Sequence, residues 1–82
     1  MQQSLDTQHC VIGTRQVMRA LEQRTLARAM LAQDADQALK VKLTAALERA
    51  EVPYTWTDSM KQLGQQCGIN VGAAVVGLLK LA

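Results

Sequence analysis

The side chains best suited to chemistry cluster near the start of the chain: Gly13-Thr14-Arg15-Gln16, with Arg19 one helical turn further on. The first N–H groups of a helix lack intrahelical partners and favour an anion. Arg15 and Arg19 stand at i and i+4, so they share one helix face. A guanidinium is a planar fork that matches a phosphate or the O6/N7 edge of guanine. The Gln16 amide can donate and accept, and Gly13 lets another backbone come close. Such a segment suits reading RNA from a helix end. It also suits a solvated helix face that happens to carry two arginines.

The other reactive groups offer less. His9 and Cys10 are adjacent, so on a strand they point to opposite faces, and Cys67 is distant in sequence. Nothing assembles a nucleophile, a base and an oxyanion site, so no catalytic residue is assigned. His9, Cys10 and Cys67 supply at most three soft ligands, without CxxC or HxxxH spacing. A structural zinc needs four, so no metal or other cofactor is expected. Two cysteines are too few for a secreted disulfide framework, and both read as small buried apolar groups. Gly64, Gly68 and Gly72 recur every four residues, which is neither GxGxxG nor a P-loop. Asp34 and Asp36 read as helix-capping carboxylates.

The elements that must position these groups alternate in type. His9–Ile12 reads as a short strand closed by Gly13. Val17, Met18, Ala20 and Leu21 form one stripe of a helix over Thr14–Arg24, with Thr14 as its cap. Ala27–Ala32 suits a buried strand. Asp34 and Asp36 lead into a second helix along Leu39, Leu43, Ala46, Leu47 and Ala50, stopped by Pro53. Tyr54–Thr57 reads as a strand. Asp58 or Ser59 caps a third helix that runs through Cys67, with Met60 and Leu63 inward. Gly68 takes the left-handed terminal position and Ile69 packs back on the last turn. Val71–Leu79 reads as the last strand. The order βαβαβαβ predicts one α/β domain over residues 1–82, an α/β/α sandwich with helices on both faces of a central sheet.

Composition bounds the function. At 82 residues the chain has room for a single domain, and 49% hydrophobic with 20% charged residues fits a folded one. There is no Phe, and Tyr54 and Trp56 are the only aromatics, which argues against an interleaved base-stacking platform. The net charge of +2 conceals a pattern. Residues 1–33 and 59–82 are each net basic, and residues 34–58 are net acidic. If the two ends of the chain meet, one edge of the domain is basic and the other acidic. The polar MQQSLDTQHC start lacks the apolar core of a signal peptide, so a cytoplasmic location is expected. The most apolar stretch, Val71–Leu79, is far shorter than the ~20 residues of a membrane span.

Three segments carry a family resemblance: Ile12-Gly13-Thr14-Arg15-Gln16-Val17, the turn Gln33-Asp34-Ala35-Asp36, and above all the run from Ser59 to Ala74, SMKQLGQQCGINVGAA. Together they resemble the L7Ae/L30e superfamily of ribosomal and kink-turn RNA-binding proteins, most of all its short bacterial YbxF-like members. The resemblance spans about residues 6–80, and the third segment is its most specific part.

That resemblance implies an α/β/α sandwich around a mixed four-stranded sheet. It also implies a non-enzymatic protein that binds kink-turn RNA, a duplex sharply bent by a bulge next to tandem sheared G·A pairs. Carried over by position, Gly13 and Thr14 lie against the RNA backbone, Arg15 and Gln16 face the guanine edges, and Arg19 contacts bases or phosphate. Ile69, Asn70, Val71 and Gly72 pack on the flipped-out bulge nucleotide, and Lys61 lies near the backbone. The family's additional first helix falls near Gln3–Thr7. Archaeal and eukaryotic members carry Asn-Glu where this chain has Arg15-Gln16, and Lys where it has Arg19; short bacterial members share the basic residue and Gln. Asn70 stands where the family usually has Glu, which eases the approach of a phosphate.

The physics agrees, because A-form RNA hides its major groove from side chains unless the duplex is distorted. The expected partner is therefore kink-turn RNA, in ribosomal RNA or a structured leader or riboswitch, with the ribosome as a further partner and the protein a monomer. The alternative is a ribosome-associated protein–protein docking module of the same fold, in which Glu48 and Glu51 take part.

Overall fold

The computed structural model describes residues 10–69 and 71–80. Its elements run β1 (Cys10–Ile12), α1 (Thr14–Gln23), β2 (Leu26–Ala32), α2 (Gln37–Arg49), β3 (Tyr54–Thr57), α3 (Met60–Gln66) and β4 (Val75–Leu79). The strands form one sheet in the order β1-β4-β2-β3. β4 is antiparallel to both β1 and β2, and β2 is parallel to β3, so the sheet is mixed. Each parallel-running strand feeds a helix. β1, β2 and β3 therefore end, α1, α2 and α3 begin, and β4 starts, all along the same edge of the sheet.

Two apolar clusters separate the layers. Val17 and Ala20 of α1 and Leu43 and Leu47 of α2 pack with Leu26, Ala29, Leu31 and Val75 on one face. Leu63 and Cys67 pack with Ala32, Ala35, Ala73 and Val76 on the other. Leu31, Leu43, Leu47 and Leu63 are fully buried, and each contributes about 1.5–3 kcal/mol by leaving water. Gly77 lies beneath α1, where an added Cβ would meet Leu26 and Val17. Its lack of a side chain lets α1 settle close to the sheet.

Local rules explain most boundaries. Asp36 caps α2 by accepting from the Leu39 N–H at 3.2 Å, and Ser59 caps α3 by accepting from Gln62 N–H at 3.0 Å. Each helix ends on a left-handed residue, Arg24, Glu51 or Gly68. The following N–H then reaches back five residues: Thr25 to Ala20 at 3.0 Å, Val52 to Leu47 at 2.8 Å and Ile69 to Gly64 at 3.1 Å. Glu51, not Pro53, thus stops α2.

Four expectations need correction. Thr14 lies inside α1, and Gly13 is the N-cap, with no side-chain hydrogen bond. Asp34 does not cap α2; its carboxylate accepts from Met60 N–H at 2.8 Å and so joins the β2–α2 turn to the start of α3. Met60 is exposed, not inward. The last strand begins at Val75, not Val71. Residues 71–74 are held by α3 instead: Ala73 N–H donates to the Met60 carbonyl at 3.0 Å. An apolar run carries no signal that separates a strand from a loop docked on a helix. His9, the helix expected near Gln3–Thr7 and Asn70 lie outside the described residues.

Candidate nucleic-acid interface

The sheet edge where the helices begin brings most of the singled-out residues together. At its centre, Gly13 has φ 98° and ψ 159°, a conformation essentially reserved for glycine. An added Cβ would meet nothing within 4 Å, so the backbone angles and not space demand glycine here. The Gly13 N–H donates to the Val75 carbonyl at 2.9 Å. That bond ties the start of α1 to the end of the loop that follows α3, so the two segments proposed to touch RNA are neighbours.

α1 presents its start openly. With glycine as N-cap, no side chain satisfies the first N–H groups, and its first turn carries no acid. The helix dipole and these N–H groups make the start electropositive. Val17 and Ala20 turn inward, which leaves Arg15, Gln16 and Arg19 exposed and Thr14 half-buried. Among the described residues, Arg15 and Arg19 form no ion pair or hydrogen bond.

The other flank is built from α3 with Ile69 and residues 71–74. Gly64 faces the Val71 carbonyl, which an added Cβ would strike, and Gly72 packs on Met60, where a Cβ would lie 3.1 Å from the Met60 Cβ. These contacts hold the loop against α3. Ile69 is half-buried in the α3 cluster, whereas Val71 is 70% exposed, a branched apolar side chain facing solvent. Lys61 is exposed in the first turn of α3.

Sequence reasoning missed two cations. Lys42 of α2 joins Thr14, Arg15, Met18, Arg19 and Glu22 around an open depression on the α1 side. Only the α1–α2 packing reveals it, because Lys42 belongs to the net-acidic middle segment. The ends of the chain do meet, through the β1–β4 pairing, but the basic surface is not confined to them. Beside the edge strand β3, Lys40 donates to the Gln33 carbonyl at 2.7 Å and lies 5.9 Å from the centre of the Trp56 ring.

The Cys67 thiol is poorly placed for nucleophilic work. Burial, and then the charge of Cys10, push the Cys67 thiol above its usual range, away from the reactive thiolate. No group of three or more potential metal ligands occurs among the described residues. No helix among them is long and apolar enough to cross a membrane.

The family model for the ribosomal protein L7Ae/L30e/S12e/Gadd45 family matches residues 1–81. The chain belongs to this family. It is 50% identical over 70 residues to RNA-binding protein GK0100 of Geobacillus kaustophilus and 49% identical to RNA-binding protein YbxF of Geobacillus stearothermophilus, covering 85% of each chain in both cases. In fold it superposes on a Giardia lamblia 15.5kD RNA binding protein with a TM-score of 0.83 and 25% identity, over 90% of this chain and 62% of that one. A Bacillus halodurans protein of unknown function gives a TM-score of 0.82 at 22% identity, over 89% of this chain and 73% of that one.

Proposed function

We propose that this protein recognises and stabilises kink-turn RNA without catalysing a reaction, acting as a cytoplasmic monomer. The observation that carries the reading is the open start of α1. Its N–H groups are uncapped, its N-cap is locked in a glycine conformation, and Arg15, Gln16 and Arg19 face outward beside the 69–74 loop. Arg15 and Gln16 read guanine edges exposed by the kink, and Arg19 holds a base or phosphate. Gly13 and Thr14 lie along the backbone. Ile69, Asn70, Val71 and Gly72 support the extruded nucleotide, with Lys61 beside its phosphate. Gln16 replaces a carboxylate acceptor, which weakens its hold on guanine N1 and N2 donors relative to Glu. The protein captures a bend the RNA already samples.

The test is a titration of a fluorescent kink-turn duplex at two salt concentrations, against a duplex whose sheared G·A pairs are changed to Watson–Crick pairs. Tight binding lost in the control supports the reading. Equal, strongly salt-dependent binding to both duplexes refutes kink recognition and leaves a general basic surface.

A second reading, a ribosome-associated protein docking module, draws on one observation. Val41 and Trp56 are 57% and 42% exposed and line the same shallow surface between α2 and β3. Recovery of a ribosomal protein after nuclease treatment, abolished by Trp56→Ala, would favour it.

A further inference from the structure

We propose that Lys42, across a groove between α1 and α2 from Arg15 and Arg19, holds the phosphodiester backbone of a duplex stem flanking the kink. The proposal rests on the RNA-binding reading above and extends its surface onto a second helix.

Three features of the groove point to a phosphate backbone. The first is charge. Thr14, Arg15, Met18, Arg19, Glu22 and Lys42 line an open depression of about 590 Å³ in which three cations face one carboxylate. The second is availability. Among the described residues none of the three cations forms an ion pair or hydrogen bond, whereas Lys40, two positions earlier on α2, is held by the Gln33 carbonyl and Trp56. The helical neighbours of Lys42 at three and four residues' spacing are Ala38, Leu39, Ala45 and Ala46, so no carboxylate on its own helix lies within i±4 pairing distance. Of the acids on α2 and at its start, Asp36 caps the helix and Glu48 accepts from the Tyr54 hydroxyl at 2.6 Å.

The third feature is shape and lining. The depression is shallow and has no aromatic wall on which a base could stack, so it suits a ridge of charge lying across it. Arg15 and Arg19 share the groove with the helix start that faces the kink, and Lys42 sits across from them on α2. A lysine ammonium is a compact point charge that holds phosphate without reading sequence. The groove therefore adds affinity and salt dependence, while base selectivity stays with the α1 start.

The test compares wild type with Lys42→Gln, Lys42→Arg and Arg49→Gln. Each is titrated against one kink-turn RNA with long flanking stems and another trimmed to the kink with its closing pairs, across a salt series. Wild type is measured first. Failure to prefer the kink-turn over its Watson–Crick control overturns the functional reading itself, before any variant is considered. If that preference holds, Lys42→Gln on the long-stem RNA lowers the slope of log K against log salt by about one. At ~0.1 M salt this is a roughly eightfold weaker Kd, from a slope of about 0.9 per phosphate contact. Lys42→Arg restores the slope, Arg49→Gln leaves it unchanged, and the effect of Lys42→Gln disappears on the trimmed RNA. An unchanged slope for Lys42→Gln overturns the proposal. So does an equal loss on both RNAs, which would put Lys42 at the kink and not on the stem. A matching loss in Arg49→Gln also overturns it, since net charge alone would then account for the effect.

Discussion

Three helices begin along one edge of the sheet, and their first turns differ. α2 and α3 satisfy their N–H groups internally: Asp36 caps one, Ser59 caps the other, and Asp34 reaches across the turn to Met60 N–H. α1 has a glycine N-cap, no side-chain cap hydrogen bond and two arginines over its first turns that are unpaired among the described residues. A glycine cap in place of Ser, Thr, Asn or Asp gives up roughly a few tenths of a kcal/mol of helix stabilisation. Side-chain caps at α2 and α3 fix the frame, whereas the start of α1 has no such cap. Sites of function are where a sequence breaks its own local rules.

The sharpest way to break this contrast is to damage the frame without touching α1. In Gly64→Ala the new Cβ would strike the Val71 carbonyl. The expected cost is about 3 kcal/mol, the upper end for overpacking, which lowers Tm by more than ~10 °C in a domain of this size. Thermal melts and RNA titration should fall together. By contrast, Arg15→Ala should weaken RNA binding by about 1–3 kcal/mol, with Tm essentially unchanged. A parallel fall in Tm would mean that Arg15 supports the fold and does not face a ligand.

Gly13→Ala tests the junction between frame and site. The positive φ of Gly13 strains any Cβ, so stability should fall by about 1–2 kcal/mol, and RNA affinity should fall as the α1 start shifts. Ser59→Ala is the complementary experiment. Loss of this cap should cost about 1 kcal/mol in denaturant melts and leave discrimination between kinked and Watson–Crick duplexes intact. The smallest effect lies far from the site. The hydrogen bond to Glu48, with burial and the Glu48 charge adding to it, raises the Tyr54 pKa above its ordinary 10.0. A raised pKa means that this stabilisation is fully present below pH 10 and is lost as pH rises through the folded-state value. In Glu48→Ala, the absorbance titration of tyrosinate should move down towards the ordinary midpoint.

Much of the frame was legible because it obeys short-range chemistry. Tyr54–Thr57 is β3 as expected, Ser59 caps α3, and Gly68 closes it with Ile69 folding back. The errors fell where partners are remote. Asp34 looked like a cap for the helix that follows it, yet its partner is Met60, 26 residues away. Val71–Ala74 is apolar like the strand it precedes, but Gly64 and Gly72 seat it on α3. Lys42 sits in an acidic segment, and only the packing of α2 beside α1 turns it towards Arg15 and Arg19.

Sequence alone determined the family, the alternating α/β order, and the glycine-led, arginine-bearing start of α1, because caps, helix stripes and i,i+4 spacing act within a few residues. The tertiary structure alone decided which helix starts stay open to a ligand, where β4 begins, and that a third cation faces the same groove. Those outcomes depend on contacts between residues distant in the chain, fixed only when both apolar clusters close on the sheet.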